Sequence, residues 1–173
     1  MEKPQYNWVK VNIDCSCNSE GSIGVGGIIR DSMGNLIVAF AKHIGRGTSN
    51  IGEAKAAYFG AKWCVENGYP NFSLECDSLV KDKSQMAWKL WDTIMETRRI
   101  NLQANVIVQH CFREVIQAAD IQAKYYLYSK DVLIFDPIDL PKDEAGMYTI
   151  DIIWMPSLRH IYAKKKYILI HYL

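Results

Sequence analysis

Hydrophobic and polar residues alternate in the first patterned stretch of the chain, residues 7–14. Val9, Val11 and Ile13 occupy every second position there, which is the spacing of a half-buried β-strand. The residues between them are polar, and Asp14 closes the run. Because successive side chains of a strand point to opposite faces, Asp14 is expected to point away from the apolar face.

Strand and helix patterns then follow one another up to about residue 130. From residue 50 to residue 67, apolar residues recur at helical spacing, and Gly68 marks the end of that helix. The other predicted elements are strands at 22–30, 36–42, 72–77 and 104–112 and helices at 78–100 and 117–129. The order β-β-β-α-β-α-β-α predicts an α/β fold in which helices pack on a mixed five-stranded sheet.

The pattern changes after residue 130. Prolines and a glycine interrupt residues 131–173, which show little periodicity, so we interpret them as a peripheral tail behind a domain formed by residues 1–130. The charge changes at the same place. Net charge is +2 over residues 1–130, −5 over residues 131–151 and +4 over residues 154–173. Such a weak basic excess in the domain permits a nucleic-acid partner without requiring one.

Composition narrows the class of protein. With 173 residues, 49% hydrophobic and 23% charged, the chain fits one globular domain with extensions. It has no apolar run of membrane-spanning length and no apolar signal segment, so we expect an intracellular protein, nuclear or cytoplasmic, without membrane contact. Its five cysteines form no C-x-x-C pair, which is typical of reduced thiols and not of a zinc site.

Four carboxylates lie at the ends of predicted elements. Asp14 and Asp77 close strands, Glu53 falls in the first turn of a helix, and Asp120 lies at the head of the last helix. If such acids meet, they repel unless a hard cation such as Mg²⁺ lies between them. Two such ions on a phosphate make a site that cleaves phosphodiesters. Each acid also has a structural explanation, such as a capping box between Asn50 and Glu53.

The motifs around these acids occur in a recognisable order. They are Val9–Asp14, Gly26–Asn35, Gly52–Ala54, Leu74–Ser78, His110–Glu114 and Ala119–Asp120. In this order they resemble the ribonuclease H family. The similarity extends over residues 7–130 and is greatest to plant ribonuclease H-like domains related to non-LTR retrotransposon reverse transcriptases.

The resemblance implies hydrolysis of the RNA strand of RNA–DNA hybrids with two Mg²⁺ ions, for which Mn²⁺ can substitute. It also implies that Asp14, Glu53, Asp77 and Asp120 are both the catalytic residues and the metal ligands. Asp14 and Asp77 would hold both ions, Glu53 one ion, and Asp120 the ion that activates water. We expect a monomer that needs no small-molecule cofactor.

Four further residues match family positions that contact the substrate or take part in catalysis, but each also has a structural explanation. Thr48, Ser49 and Asn50 match a polar turn that contacts the nucleic-acid backbone, although ordinary helix capping would explain them equally well. His110 has the spacing of a mobile histidine in bacterial members. Because it falls inside a predicted strand, we expect it to be structural.

Three positions depart from the family pattern. Cys15 replaces a glycine, Gly52 replaces an alanine, and Ile116 replaces an asparagine that contacts substrate. These changes spare the carboxylates but weaken the substrate side. Two alternatives to an active enzyme therefore stay open, namely a non-catalytic nucleic-acid-binding module and a protein-interaction domain on the same scaffold.

Overall fold

The computed structural model describes residues 4–77, 104–111, 116–125, 127, 132–135 and 167–168. The strands are β1 (Val9–Cys17), β2 (Ser22–Arg30), β3 (Leu36–Arg46), β4 (Asn71–Cys76), β5 (Asn105–His110), β6 (Val132–Phe135) and β7 (Tyr167–Ile168). The helices are α1 (Ser49–Glu66) and α2 (Gln117–Tyr125). None of the described helices combines the length and the apolar content needed to cross a bilayer.

The sheet is mixed, and its strands lie in the order β6-β3-β2-β1-β4-β5-β7. β1, β2 and β3 form an antiparallel meander, while β4 pairs parallel to β1 and β5 pairs parallel to β4. The five predicted strands are therefore present in the predicted chain order. The helix predicted at 78–100 lies outside the described residues.

Two short strands that the sequence analysis did not predict extend the sheet at both edges. β6 pairs antiparallel with β3, and β7 pairs antiparallel with β5. Both come from residues 131–173, so this part of the chain contributes backbone hydrogen bonds to the sheet. The division into a domain of residues 1–130 and a tail of residues 131–173 stays a prediction.

α1 covers one face of the sheet and buries the apolar side of β1. Val11 and Ile13 are fully buried there, as their alternation predicts. Small residues on α1 allow close packing, since a Cβ added at Gly60 would lie only 2.7 Å from Cγ1 of Val11. The largest side chains of this core cluster include Phe40, Phe72, Ile13, Ile23, Ile29 and Leu74.

α2 lies on the opposite face, directly against the backbone of β2. A Cβ added at Gly24 would lie 2.2 Å from the carbonyl oxygen of Ala123, and one added at Gly26 would lie 2.5 Å from that of Ala119. No side chain fits in that space, so the glycines at these two positions allow the helix to approach the strand. This contact sets the height of α2 above the sheet.

Buried charged residues hold β1 and β4 together on the face that α2 covers. Lys10 Nζ lies 2.9 Å from Glu75 Oε1, and Asn12 Nδ2 donates to Glu75 Oε2 at 3.0 Å. Arg30 Nη1 donates to Asn12 Oδ1 at 3.3 Å. All four residues are at most 5% exposed to solvent. Replacing one of them would therefore leave its partner as a buried charge or polar group without that interaction. The network fixes the register that brings β1 and β4 side by side.

Candidate metal centre

Asp14 and Asp77 both lie just beyond the paired register of β1 and β4. The strands run parallel, and their pairing ends with Asn12 opposite Glu75. Asp14 follows two residues later within β1, and Asp77 comes directly after the last residue of β4. Asp14 is 4% exposed, and its Oδ1 accepts a hydrogen bond of 2.7 Å from the backbone N–H of Cys15.

Glu53 lies on α1, near the end of β1 that carries Asp14. It is 7% exposed and is the fifth residue of the helix, which begins at Ser49 after the N-cap Thr48. The predicted place in the first helical turn is therefore wrong by about one residue. A capping box between Asn50 and Glu53 is also excluded, since Asn50 is inside the helix and does not cap it.

The pKa of the Cys15 thiol is raised by burial and by three of the four predicted ligands. Burial raises the pKa of the Cys15 thiol, and the negative charges of Glu53, Asp14 and Asp77 raise this pKa further. Charges act in this way only on near neighbours, because water and salt screen the more distant ones. Geometry places two of these acids near the thiol. Asp14 precedes Cys15 in β1, and Gly52, which precedes Glu53, would place an added Cβ 2.9 Å from Cys15 Cβ.

Asp120 lies on α2, the helix that packs over β2 and β1 on the Asp14 face. Its Oδ2 is 2.6 Å from the ammonium of Lys124, one helical turn further along. The sequence analysis missed this ion pair, although the i,i+4 spacing was visible. In the structure described, Asp120 is thus engaged by a cation of its own helix.

Ile116 explains one departure from the family pattern. Its side chain is 1% exposed and packs with Cys111 and Ala119. The position therefore belongs to a small apolar cluster below α2. A side chain in this place contributes to packing and cannot contact a ligand at the surface.

The donor chemistry fits a hard divalent cation, because the four predicted ligands offer only carboxylate oxygens. The positions of these side chains, however, do not yet form a metal-binding group. Among the described residues, no three His, Cys, Asp or Glu side chains are positioned as they stand to hold a metal ion. The assignment of Asp14, Glu53, Asp77 and Asp120 as catalytic metal ligands accordingly stays a prediction.

The polar turn before Glu53 faces solvent. Thr48 and Ser49 are exposed and Asn50 is half-buried. As N-cap residue, Thr48 makes no side-chain capping hydrogen bond, and only its carbonyl oxygen is used, by the N–H groups of Ile51 and Gly52 at 3.0 and 3.1 Å. Side-chain capping by Thr48 therefore does not explain the turn. Its role in substrate binding stays a prediction.

His110 is the last residue of β5, so the strand position predicted for it is correct. Its Nε2 donates a hydrogen bond of 3.1 Å to the backbone carbonyl of Asp77. The parallel register, in which Cys76 is opposite His110, brings the two residues together. Sequence reasoning missed this contact, which holds the chain segment that carries the Asp77 carboxylate.

Comparison with known proteins identifies the family. A family model described as reverse transcriptase-like matches residues 11–126. The chain therefore belongs to the reverse transcriptase-like family, and its domain is ribonuclease H-like. A candidate ribonuclease H protein of Arabidopsis thaliana is 36% identical over 78 residues, which are 44% of this chain and 13% of that protein. The match thus spans a small part of that relative's length.

Solved structures agree on the fold. Ribonuclease H1 of the halophilic archaeon Halobacterium salinarum has a TM-score of 0.58 at 19% identity, over 69% of this chain and 97% of its own. LC11 ribonuclease H1, solved in complex with an RNA/DNA hybrid, has a TM-score of 0.57 at 18% identity, over 68% of this chain and 94% of its own. At these identities the similarity shows the α/β ribonuclease H-like fold alone, and that fold prediction is confirmed.

Proposed function

We propose that this domain hydrolyses the RNA strand of RNA–DNA hybrids, with two Mg²⁺ ions held by Asp14, Glu53, Asp77 and Asp120. The observation that carries the proposal is the contact between Gly52 on α1 and Cys15 on β1, where an added Cβ would lie 2.9 Å from Cys15 Cβ. This contact brings the neighbouring residues Glu53 and Asp14 close together, and β4, which ends just before Asp77, pairs parallel with β1. Membership of the reverse transcriptase-like family supports the proposal. So does the fold, which is shared with a ribonuclease H1 that was solved with a hybrid bound.

Bound Mg²⁺ would supply a water of lowered pKa and positive charge on the phosphate that is cleaved. The chain's own residues hold and orient the ligands. The Cys15 N–H fixes one oxygen of Asp14 at 2.7 Å, and His110 holds the Asp77 backbone at 3.1 Å. Fixed carboxylates lose little freedom on binding a cation, which favours binding.

The polar turn at the start of α1 would position the substrate. Thr48 and Ser49 are exposed at the start of α1, a few residues before the buried Glu53, so a nucleic-acid strand can reach this turn. The first turn of a helix also presents unpaired backbone N–H groups, which attract phosphate oxygens. Hydroxyl and amide side chains there would distinguish an RNA strand by its 2′-hydroxyl groups.

The decisive experiment is cleavage of an end-labelled RNA strand in a hybrid, with double-stranded RNA and double-stranded DNA as parallel substrates. Cleavage of the hybrid alone, dependent on Mg²⁺ or Mn²⁺ and stopped by a chelator, is the expected result. The products should carry 5′-phosphate and 3′-hydroxyl ends. If the hybrid binds but stays intact with either cation, the enzymatic function is excluded.

A non-catalytic nucleic-acid-binding module is the second candidate, and two observations favour it. Lys124 already neutralises Asp120, and no three of the described side chains form a ready metal-binding group. In that case hybrid affinity should be the same with Mg²⁺ and with chelator. The cleavage experiment, run with a binding measurement on the same hybrid, separates the two candidates.

A further inference from the structure

A groove of about 610 Å³ runs between α1 and the part of the sheet formed by β2, β3 and β6. Three lysines and three aromatic residues dominate its lining, and we call this set the lysine groove: Lys42, Lys55, Lys62, Tyr58, Phe59 and Trp63. None of the four predicted metal ligands lines it. The groove is therefore a separate feature of the surface that shares only α1 with the candidate metal centre.

The groove is positively charged although the chain is nearly neutral. Glu66 is the one acid among its lining residues, and it lies 3.7 Å from Lys62, with both side chains largely exposed. Such exposed pairs contribute only about 0.3–0.5 kcal/mol, so an anion can displace Glu66. Lys55 is exposed on the same helix. Two to three positive charges thus face whatever enters the groove.

Two of the three aromatic residues, Phe59 and Trp63, are held in place by ring contacts. Phe59 packs on the buried Phe40 with ring centres 5.0 Å apart, and Trp63 stacks on Tyr69 with ring centres 5.9 Å apart and planes inclined by 13°. Lys42 Nζ lies 5.4 Å from the centre of the Phe59 ring. Rings that are fixed in this way offer a rigid surface, so a ligand that stacks on them does not have to order them.

Fixed aromatic rings beside spaced cations are the features that bind single-stranded nucleic acid, in which phosphates meet the cations and unpaired bases meet the rings. We propose that the lysine groove binds a single strand of DNA or RNA. A duplex fits the groove poorly, because its bases are stacked inside and its phosphates would meet apolar side chains such as Ile44 and Ile134. The proposal goes beyond hybrid cleavage and does not depend on it.

The lysine groove lies close enough to the candidate metal centre for one substrate to contact both. Glu53 and Lys55 are two residues apart on α1, so the metal centre and the groove flank the same helix. A hybrid with a single-stranded extension can therefore occupy both surfaces. Such a substrate should bind more tightly than a blunt hybrid of equal length, and removing the groove lysines should abolish this difference.

Fluorescence anisotropy of a labelled oligothymidylate with the full chain tests the proposal, at a length of about 12 nucleotides, within the usual site size of such surfaces. Replacing Lys42, Lys55 and Lys62 together by alanine should weaken binding about ten-fold or more. It should also lower the slope of log affinity against log salt by about 2, since each phosphate contact to a single strand contributes about 0.7. Circular dichroism and thermal unfolding verify that the variant is folded.

Single substitutions provide matched controls. Lys55→Ala and Arg46→Ala each remove one exposed cation, but only Lys55 lines the groove. Lys55→Ala should therefore weaken binding several-fold, and Arg46→Ala should change it less than two-fold. Tyr58→Leu should weaken binding with the salt slope unchanged, because it removes stacking and no charge.

Two results would overturn the proposal. One is an unchanged affinity and salt slope in the triple lysine variant. The other is polyglutamate of equal charge binding as tightly as the oligothymidylate while Tyr58→Leu has no effect, which would identify a surface for acidic protein segments. Asp77→Asn distinguishes the groove from the metal centre, since it should leave oligothymidylate binding intact whether or not the chain cleaves hybrids.

Discussion

Gly52 on α1 lies directly against Cys15 on β1. A Cβ added at Gly52 would be 2.9 Å from Cys15 Cβ and 3.0 Å from its Sγ. The Cys15 thiol instead donates to the carbonyl oxygen of Ser49 at 3.2 Å. The two departures from the family pattern at these positions are therefore one exchange, in which side-chain volume has moved from the helix to the strand between Asp14 and Glu53.

The exchange predicts energetic coupling between the two positions. Gly52→Ala alone should destabilise the fold by about 1–3 kcal/mol, because the added methyl group overpacks the contact with Cys15. In a Cys15→Gly background the cost should fall by about 1 kcal/mol. Some cost should remain, since the same Cβ would also lie 2.8 Å from Ile23 Cγ2. Urea unfolding of the four proteins measures the coupling.

A neighbouring cysteine provides the control for that cycle. Cys17 is exposed and lies two residues beyond Cys15. Cys17→Gly should therefore leave the cost of Gly52→Ala unchanged. If Gly52→Ala lowers the free energy of unfolding equally in the parent, Cys15→Gly and Cys17→Gly proteins, positions 52 and 15 are not energetically coupled.

Asp77→Asn should abolish metal-dependent hybrid cleavage while changing the free energy of unfolding by less than about 1 kcal/mol. The amide keeps the shape of the side chain but removes a charged oxygen ligand. Cleavage and hybrid affinity are measured in parallel, and affinity should change little. Cleavage at the parental rate would remove Asp77 from the site.

His110→Ala should lower cleavage far less than Asp77→Asn. The ring touches the Asp77 backbone and not its carboxylate, so its loss loosens the segment without removing a ligand. Steady-state kinetics at two Mg²⁺ concentrations measures this effect. A loss as large as that of Asp77→Asn would show that His110 takes part in the chemistry.

Lys124→Met should tighten Mn²⁺ binding about two-fold, because an i,i+4 pair with an exposed lysine contributes roughly 0.3–0.5 kcal/mol that the ion must otherwise overcome. Titration of free Mn²⁺ by electron paramagnetic resonance measures the affinity. Lys62→Met is the matched control, since Lys62 forms an i,i+4 pair with Glu66 away from the four acids. Equal affinities in the parent and in Lys124→Met would exclude Asp120 as a ligand.

Stability should fall above about pH 8.5, the ordinary pKa of an unfolded thiol. Burial raises the pKa of the Cys64 thiol in the folded chain. Unfolded thiols therefore release their protons first, and the unfolded state gains relative to the folded state by up to about 1.4 kcal/mol per pH unit for each such thiol. Below this pH both states hold the proton and the term is constant.

Cys64→Ala tests that assignment, because Cys64 is on α1 and its side chain is part of the core. Denaturant unfolding between pH 7 and pH 10 should show a shallower loss of stability in the variant than in the parent. Parallel profiles for the parent and Cys64→Ala would contradict the prediction.

Truncation after Lys130 should leave a soluble core that still unfolds cooperatively. It removes β6 and β7, which pair only at the two edges of the sheet. Stability should nevertheless fall, since β3 would lose the strand that pairs with its outer side along Ala39–Lys42. Calorimetry compares the two chains, and a broad transition without a heat-absorption peak would show that residues 131–173 complete the core.

Local pattern predicted most of the central sheet, since strand alternation and helical spacing depend only on neighbouring residues. The alternation at Val9, Val11 and Ile13 gave β1, and its bounds differ from prediction by two or three residues. β6 was missed because Val132–Phe135 is a continuous apolar run, which does not indicate a half-buried strand. Its partner β3 is distant in sequence, so no local signal marks the pairing.

The candidate site likewise has a part that the sequence predicted and a part that it did not. The four acids were singled out because the sequence patterns place each at the end of a strand or the start of a helix. Asp77 follows β4 directly and Asp120 lies in the first turn of α2, whereas β1 continues for three residues past Asp14. The contact between His110 and Asp77 and the lysine groove depend on how β5, α1 and β6 are placed in space. Such placement is set by packing across the whole sheet, and single-sequence patterns do not contain it.

The contact of α2 with Gly24 and Gly26 has a consequence for how this domain can diverge. The helix rests on main-chain atoms, with carbonyl oxygens facing the two glycines. Main-chain atoms are the same whatever side chains replace their neighbours. Surface residues and edge strands can therefore change without altering the distance from β2 to the helix that carries Asp120. A substitution at either glycine would be the rare single change that alters this distance.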